Sequence, residues 1–95
     1  MPAGELGERV ARALVEERLA ACVSVLAPMT SLYRWQGAVE PDTEQQLVIK
    51  TTTDRVAALQ ARLVQLHTYE VPECLVLAVA GGTATYLEWV RAETT

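Results

Sequence analysis

A chain of 95 residues is long enough for one domain with a modest core, and its composition, 51% hydrophobic with three Tyr, two Trp and no Phe, is that of a folded, aliphatic-rich domain. A net charge of -4 and a pI near 4.9, with no basic run or stripe, exclude an unspecific nucleic-acid binder. No apolar run approaches the ~20 residues needed to span a bilayer, and the N-terminus lacks a basic region followed by an apolar core, so no membrane partner and a cytoplasmic location are expected.

After Met1-Pro2-Ala3-Gly4, the periodicity predicts a helix from about Glu5. Leu6, Val10, Ala13, Leu14, Ala20 and Ala21 share one arc of the helical wheel, and Glu8, Arg9, Arg12 and Glu16 lie opposite, as in a surface helix with one buried face. Val15 and Leu19 fall on the polar side and Glu17 inside the apolar arc, a pattern expected of a broad contact face. The period changes to two at Cys22, with Val23 and Val25 on one side of a strand and Cys22, Ser24 and Leu26 on the other. Pro28 denies the ladder a donor and predicts a bend, an edge or a bulge before the strand resumes at Met29 or Thr30.

The stretch Thr30-Ser31-Leu32-Tyr33-Arg34-Trp35 carries large or amphipathic groups on both faces: Ser31, Tyr33 and Trp35 on one, Thr30, Leu32 and Arg34 on the other. A small core cannot cover both faces of so long a strand. Tyr, Trp and Arg are also the types enriched at interfaces, so the stretch is expected to meet a second copy of the chain, although aromatic residues also serve strand packing alone. Gln36-Gly37 provides a reversal and Glu40-Pro41-Asp42 a second break, after which a return strand is predicted from about Glu44 to Thr51. Residues 22–52 thus form a long, kinked hairpin.

A second helix is predicted from Thr53 or Asp54 to Leu66 or His67, with Val56, Leu59, Leu63 and Leu66 as its apolar stripe. Cys74-Leu75-Val76-Leu77-Ala78-Val79-Ala80 is apolar at every position and predicts a strand covered on both faces, ended by Gly81-Gly82. A last helix from about Thr83 carries a potential capping box in Thr85 and Glu88, with Tyr86, Trp89 and Val90 on one face. The order helix, strand, strand, helix, strand, helix is an α+β arrangement, most of a ferredoxin-like split β-α-β repeat whose first strand is missing.

Cys22 and Cys74 sit in apolar company and are expected to be buried free thiols. In the ferredoxin-like order their strands take opposite edges of the sheet, ~14 Å apart at ~4.8 Å per strand spacing, beyond the reach of a disulfide. The chain has no Cys-x-x-Cys and one histidine, so it lacks the spacing of a structural zinc site. Catalysis finds little support. There is no Gly-x-Ser-x-Gly, Gly81-Gly82 lacks the spaced glycines of a phosphate loop, and Glu16-Glu17 has the solvated pattern of a helix surface, so an enzyme is the least favoured class.

The segments Ala20-Ala21-Cys22-Val23, Thr30 to Gly37, Ile49-Lys50-Thr51 and His67-Thr68-Tyr69-Glu70-Val71-Pro72-Glu73 resemble the signature segments of the CutA divalent-cation tolerance proteins. Tyr86-Leu87-Glu88-Trp89 is similar too, so the resemblance covers nearly the whole chain as a single domain, residues 1–95. It implies a ferredoxin-like, PII-like subunit in a homotrimer built by pairing long hairpins between neighbours. It also implies a part in tolerance to divalent cations, copper especially, with divalent metal ions and the chain itself as partners. The polar positions it groups near the subunit clefts are Tyr33, Trp35, Lys50, His67, Tyr69 and Glu73, and Cys22 matches the family's cysteine after the first helix. Two departures stand out: the apolar strand that opens the family pattern is not in these 95 residues, so either an N-terminal segment precedes them or a central position of the sheet must close or gap, and Thr68 stands where the family tends to have proline.

Each candidate has a competing explanation. His67, a metal candidate beside Cys22, also suits the C-terminal end of a helix dipole, and soft-metal sites need several His or Cys ligands to converge. Lys50 fits an ion pair with Glu73 or another carboxylate, or, in a subunit cleft, an anchor for a small anion. Glu73 also fits the end of a loop. The leading expectation is a homotrimer acting in divalent-cation tolerance, and the alternative is a PII-like regulatory trimer that binds a small anionic ligand between subunits.

Overall fold

The computed structural model describes residues 1–67 and 73–95. In chain order they form α1 (Glu5–Glu16), β1 (Cys22–Val25), β2 (Met29–Trp35), β3 (Ala38–Glu44), β4 (Leu47–Lys50), a 3-10 turn (Thr53–Arg55), α2 (Val56–Leu66) and α3 (Ala84–Glu93). Tyr69 lies outside the described residues.

The α1 face buries Gly7, Val10, Ala11 and Leu14, close to the expected arc. The helix stops at Glu16, earlier than the wheel reading of Ala20 and Ala21 implied, and Arg18 turns the chain with φ 59°. Leu19, Ala20 and Ala21 are nonetheless buried, because the turn folds them back beneath the helix: the N–H groups of Leu19 and Ala20 both donate to Leu14 O, at 3.0 and 3.2 Å. Leu19 is therefore a core residue reached through a turn rather than an outward-facing helix position. The core joins Val10, Leu14, Leu19 and Ala20 to Leu59 and Leu63 of α2, with Val23, Leu47 and Ile49 packed on it from the sheet.

β1 pairs antiparallel with β4, Cys22 opposite Lys50 and Val25 opposite Leu47. β2 pairs antiparallel with β3 from Met29 opposite Glu44 to Trp35 opposite Ala38. The two ladders are one kinked hairpin, as expected, interrupted on one side at Leu26–Pro28 and on the other at Gln45–Gln46. The break expected at Glu40-Pro41-Asp42 does not occur. Gln36 (φ 50°) and Gly37 (φ 83°) form a two-residue turn of the type I′ kind, which makes Trp35–Ala38 a hydrogen-bonded pair. Alternation then makes Leu32–Pro41 a non-hydrogen-bonded pair, so the nitrogen of Pro41 faces away from β2 and costs the ladder nothing.

The largest correction concerns residues 74–80. No strand forms there, and Leu75, Val76, Leu77 and Val79 are 59 to 86% exposed. A strand exists through its ladder, and among the described residues no strand pairs with this segment. Only Cys74, at the start of the segment, packs against the core.

The helix α3 begins at Ala84 with Thr83 as its N-cap, two residues earlier than a Thr85 capping box requires, and Glu88 instead pairs with Arg91 at 2.8 Å. The C-terminal end of α3 is tied to the rest of the domain by Arg55 Nε, which donates to Thr94 O at 2.6 Å, and by Arg18 Nη1, which donates to Ala92 O at 3.3 Å.

Candidate functional site

The first ladder carries the clearest polar grouping. Period two puts Cys22 and Ser24 on one face of β1, and the register sets Lys50 of β4 directly across from Cys22 on that same face. Lys50 Nζ donates to Ser24 Oγ at 2.9 Å and lies 3.8 Å from Cys22 Sγ, all three side chains being half-buried. The carboxylate expected beside Lys50 is replaced by this hydroxyl and thiol, and Glu73 is exposed at the edge of the described chain. Ser24 was missed as a site residue, although its spacing of two from Cys22 already placed both on one face.

His67 belongs to a different neighbourhood. It is the C-cap of α2, and its N–H donates to Leu63 O at 2.8 Å, the closing i→i−4 bond of the helix. Its imidazole is held below the usual range, chiefly by burial and then by the positive Met1 amino group, against an opposing pull from Glu44. Met1 and Glu44 form an ion pair of 3.2 Å that is mostly shielded from solvent. The two residues expected to bind metal thus sit among different partners: Cys22 beside an ammonium, His67 beside the N-terminus.

Tyr33 and Trp35 lie on β2, in the second ladder, with Tyr33 opposite Glu40, and both remain about 40% exposed. Desolvation, followed by the charges of Asp42, Glu44 and Glu40, pushes the Tyr33 phenol above its usual range. Around them Leu32 is 71% and Val39 61% exposed, so apolar surface lies on both strands of the hairpin.

Whether this chain's residues fit a copper ion can be judged from Cys22. The sulfur is a soft ligand, but an ammonium 3.8 Å from it opposes a cation placed there unless Lys50 swings aside. Among the described residues no three His, Cys, Asp or Glu side chains converge on one point. The described residues of one chain therefore do not by themselves bring together a copper ligand set.

The model of the CutA1 divalent ion tolerance protein family matches residues 1–93. This chain belongs to that family. It is 48% identical over 94 residues to the divalent-cation tolerance protein CutA of Thermus thermophilus, covering 99% of this chain and 91% of that one. It is 43% identical to human protein CutA over 98% of its own length and 52% of the human chain. Among solved structures, a divalent cation tolerance protein from Thermus thermophilus superposes with a TM-score of 0.97 at 47% identity, covering all of this chain and 92% of that one. The CutA1 structure from Oryza sativa also reaches 0.97, at 39% identity and 87% of its own length. A CutA structure from Archaeoglobus fulgidus, 30% identical with a TM-score of 0.95, is named as a periplasmic divalent cation tolerance protein. No helix among the described residues is long and apolar enough to cross a membrane.

Proposed function

We propose that this chain acts in divalent-cation tolerance as a ferredoxin-like, PII-like homotrimer of the cytoplasm, and that copper is held between its subunits rather than within one. The observation that carries the assembly is the β2–β3 hairpin, whose Leu32 and Val39 are 71% and 61% exposed beside half-exposed Tyr33 and Trp35. Covering such side chains is worth about 1.5–3 kcal/mol for each one fully buried, and a closed ring covers them in every subunit. Tolerance itself is what the names of the Thermus and Archaeoglobus relatives state, without naming a catalysed reaction.

Copper enters this reading through Cys22 and His67. Since each has a different set of neighbours in the single chain, repetition by symmetry is the route by which several soft ligands come together. Copper titration of the purified protein tests the reading: stoichiometric binding that is lost in Cys22→Ala or His67→Ala supports it. Saturable binding of a small anion, lost in Lys50→Ala while copper is ignored, would replace it with a PII-like regulatory role in which Lys50, Ser24, Tyr33, Trp35, Tyr69 and Glu73 line the ligand cleft.

A further inference from the structure

The first ladder brings two nucleophiles together. Cys22 and Lys50 are direct partners on it, and opposite residues of such a pair have Cβ atoms about 4.5–5.5 Å apart. Among the described residues the Lys50 ammonium meets Ser24 Oγ at 2.9 Å and Cys22 Sγ at 3.8 Å, and no carboxylate there forms an ion pair with it. Alternation sets Cys22 and Ser24 on one face, so the Ser24 hydroxyl holds the nitrogen on the sulfur's side of the sheet. The other thiol is engaged elsewhere. Cys74 packs against the core with Gln60 Nε2 3.9 Å from its sulfur, and no disulfide joins it to Cys22. The group positioned to meet an oxidised Cys22 sulfur is therefore an amine and not a second thiol.

We propose that Cys22 and Lys50 are a peroxide-sensitive pair that closes to a sulfenamide, a reversible S–N bond between β1 and β4. The Cys22 sulfur first attacks hydrogen peroxide; the O–O bond breaks, sulfur gives up two electrons, and the products are a sulfenic acid and water. Lys50 Nζ then attacks that sulfur as the S–O bond breaks. Of the three ammonium protons, one leaves with the hydroxyl as water, one passes to solvent and one stays on the bridging nitrogen. Sulfenic acids condense in this way with backbone nitrogen, and here the ladder register supplies a side-chain nitrogen in its place. Rotation about the four-carbon stem of Lys50 brings the nitrogen from 3.8 Å to bonding distance once Ser24 releases it. Cys22 is half-buried, so a bulky thiol reaches it less readily than peroxide does, and the amine already in place is the first nucleophile to meet the sulfenic acid. The bridge removes the charge of Lys50 and ties together residues 28 apart in sequence. A thiol reductant reopens it: one thiol attacks the sulfur and releases the amine, and a second frees Cys22 from the mixed disulfide.

No metal takes part in this chemistry, so the test is mass spectrometry of the whole chain treated with hydrogen peroxide in the presence of a chelator. Each chain should lose the mass of two hydrogens, a linked pair of peptides should join Cys22 to Lys50, Cys74 should stay titratable as a free thiol, and dithiothreitol should restore the starting mass. Cys74→Ser should behave as the parent does. Lys50→Arg keeps a cationic donor but has no nucleophilic amine, so it should gain one oxygen at Cys22, trapped by dimedone, and lose no hydrogens. A parent that retains oxygen at Cys22 with a free Lys50 amine, a Cys22 to Cys74 disulfide, or a Cys22 thiol that peroxide leaves intact would each overturn the proposal. So would the same loss of two hydrogens in Lys50→Arg, or its absence in Cys74→Ser.

Discussion

Lys50 stands directly across from Cys22 on the β1–β4 ladder, with its ammonium 2.9 Å from the Ser24 hydroxyl and 3.8 Å from the Cys22 sulfur. Substituting Lys50→Met keeps the apolar stem and removes the donor. The loss of one half-buried, charge-assisted hydrogen bond should lower stability by about 1 kcal/mol, read as a lower urea midpoint with an unchanged slope. An unchanged midpoint would show that the Ser24 bond contributes nothing net.

His67 gives the fold a pH dependence with a definite sign. Its pKa is lowered in the folded state, so between that value and about 6.5 the unfolded chain binds more protons than the folded one, and stability rises with pH. The contribution is complete above the unfolded value and declines as pH falls through that window. Thermal midpoints measured from about pH 7.5 down to 5 should fall, and His67→Gln should flatten the slope. A slope of the same size in the variant would assign it to other groups.

The reversal at Gln36 and Gly37 should be sensitive to backbone alone. Gly37 has φ 83° and nothing within 4 Å of where a Cβ would stand, so Gly37→Val adds left-handed strain without a clash, about 1–2 kcal/mol. Gln36→Asn, at φ 50°, should instead stabilise by a few tenths. Equal effects at both positions in thermal unfolding would contradict the I′ assignment.

Cys22 and Cys74 are both free and half-buried. Thiol titration under denaturing, non-reducing conditions should find both thiols in every chain. Finding neither would mean that they pair and that the placement of their segments is wrong.

Local chemistry made much of this fold legible. The Gln36-Gly37 turn, the interruption at Pro28 and the α2 stripe of Leu59 and Leu63 are each decided within a few residues, and the structure has them where the pattern put them. What failed depended on partners. Pro41 breaks a strand only if its missing donor faces the ladder, which the hairpin register decides. Residues 74–80 have the apolar run of a buried strand and remain unpaired, because pairing depends on a neighbour that the run itself cannot specify. The candidate site divides the same way. Cys22 and Lys50 share a face through register, which alternation could have supplied, whereas His67 feels the charges of Met1 and Glu44 from across the chain, which no local pattern encodes.

Copper affinity, compared between the assembled protein and Trp35→Glu, tests the central claim most directly. Trp35 is 39% exposed on the hairpin, so a carboxylate there leaves the core intact while opposing the burial of that face. Light scattering at micromolar concentration should give the mass of a trimer for the parent and of a monomer for the variant, and copper affinity should fall at least tenfold in the variant with Cys22 and His67 both present. A folded monomer that keeps the parent's affinity, or a parent chain that is itself a stable monomer, would contradict a site shared between subunits.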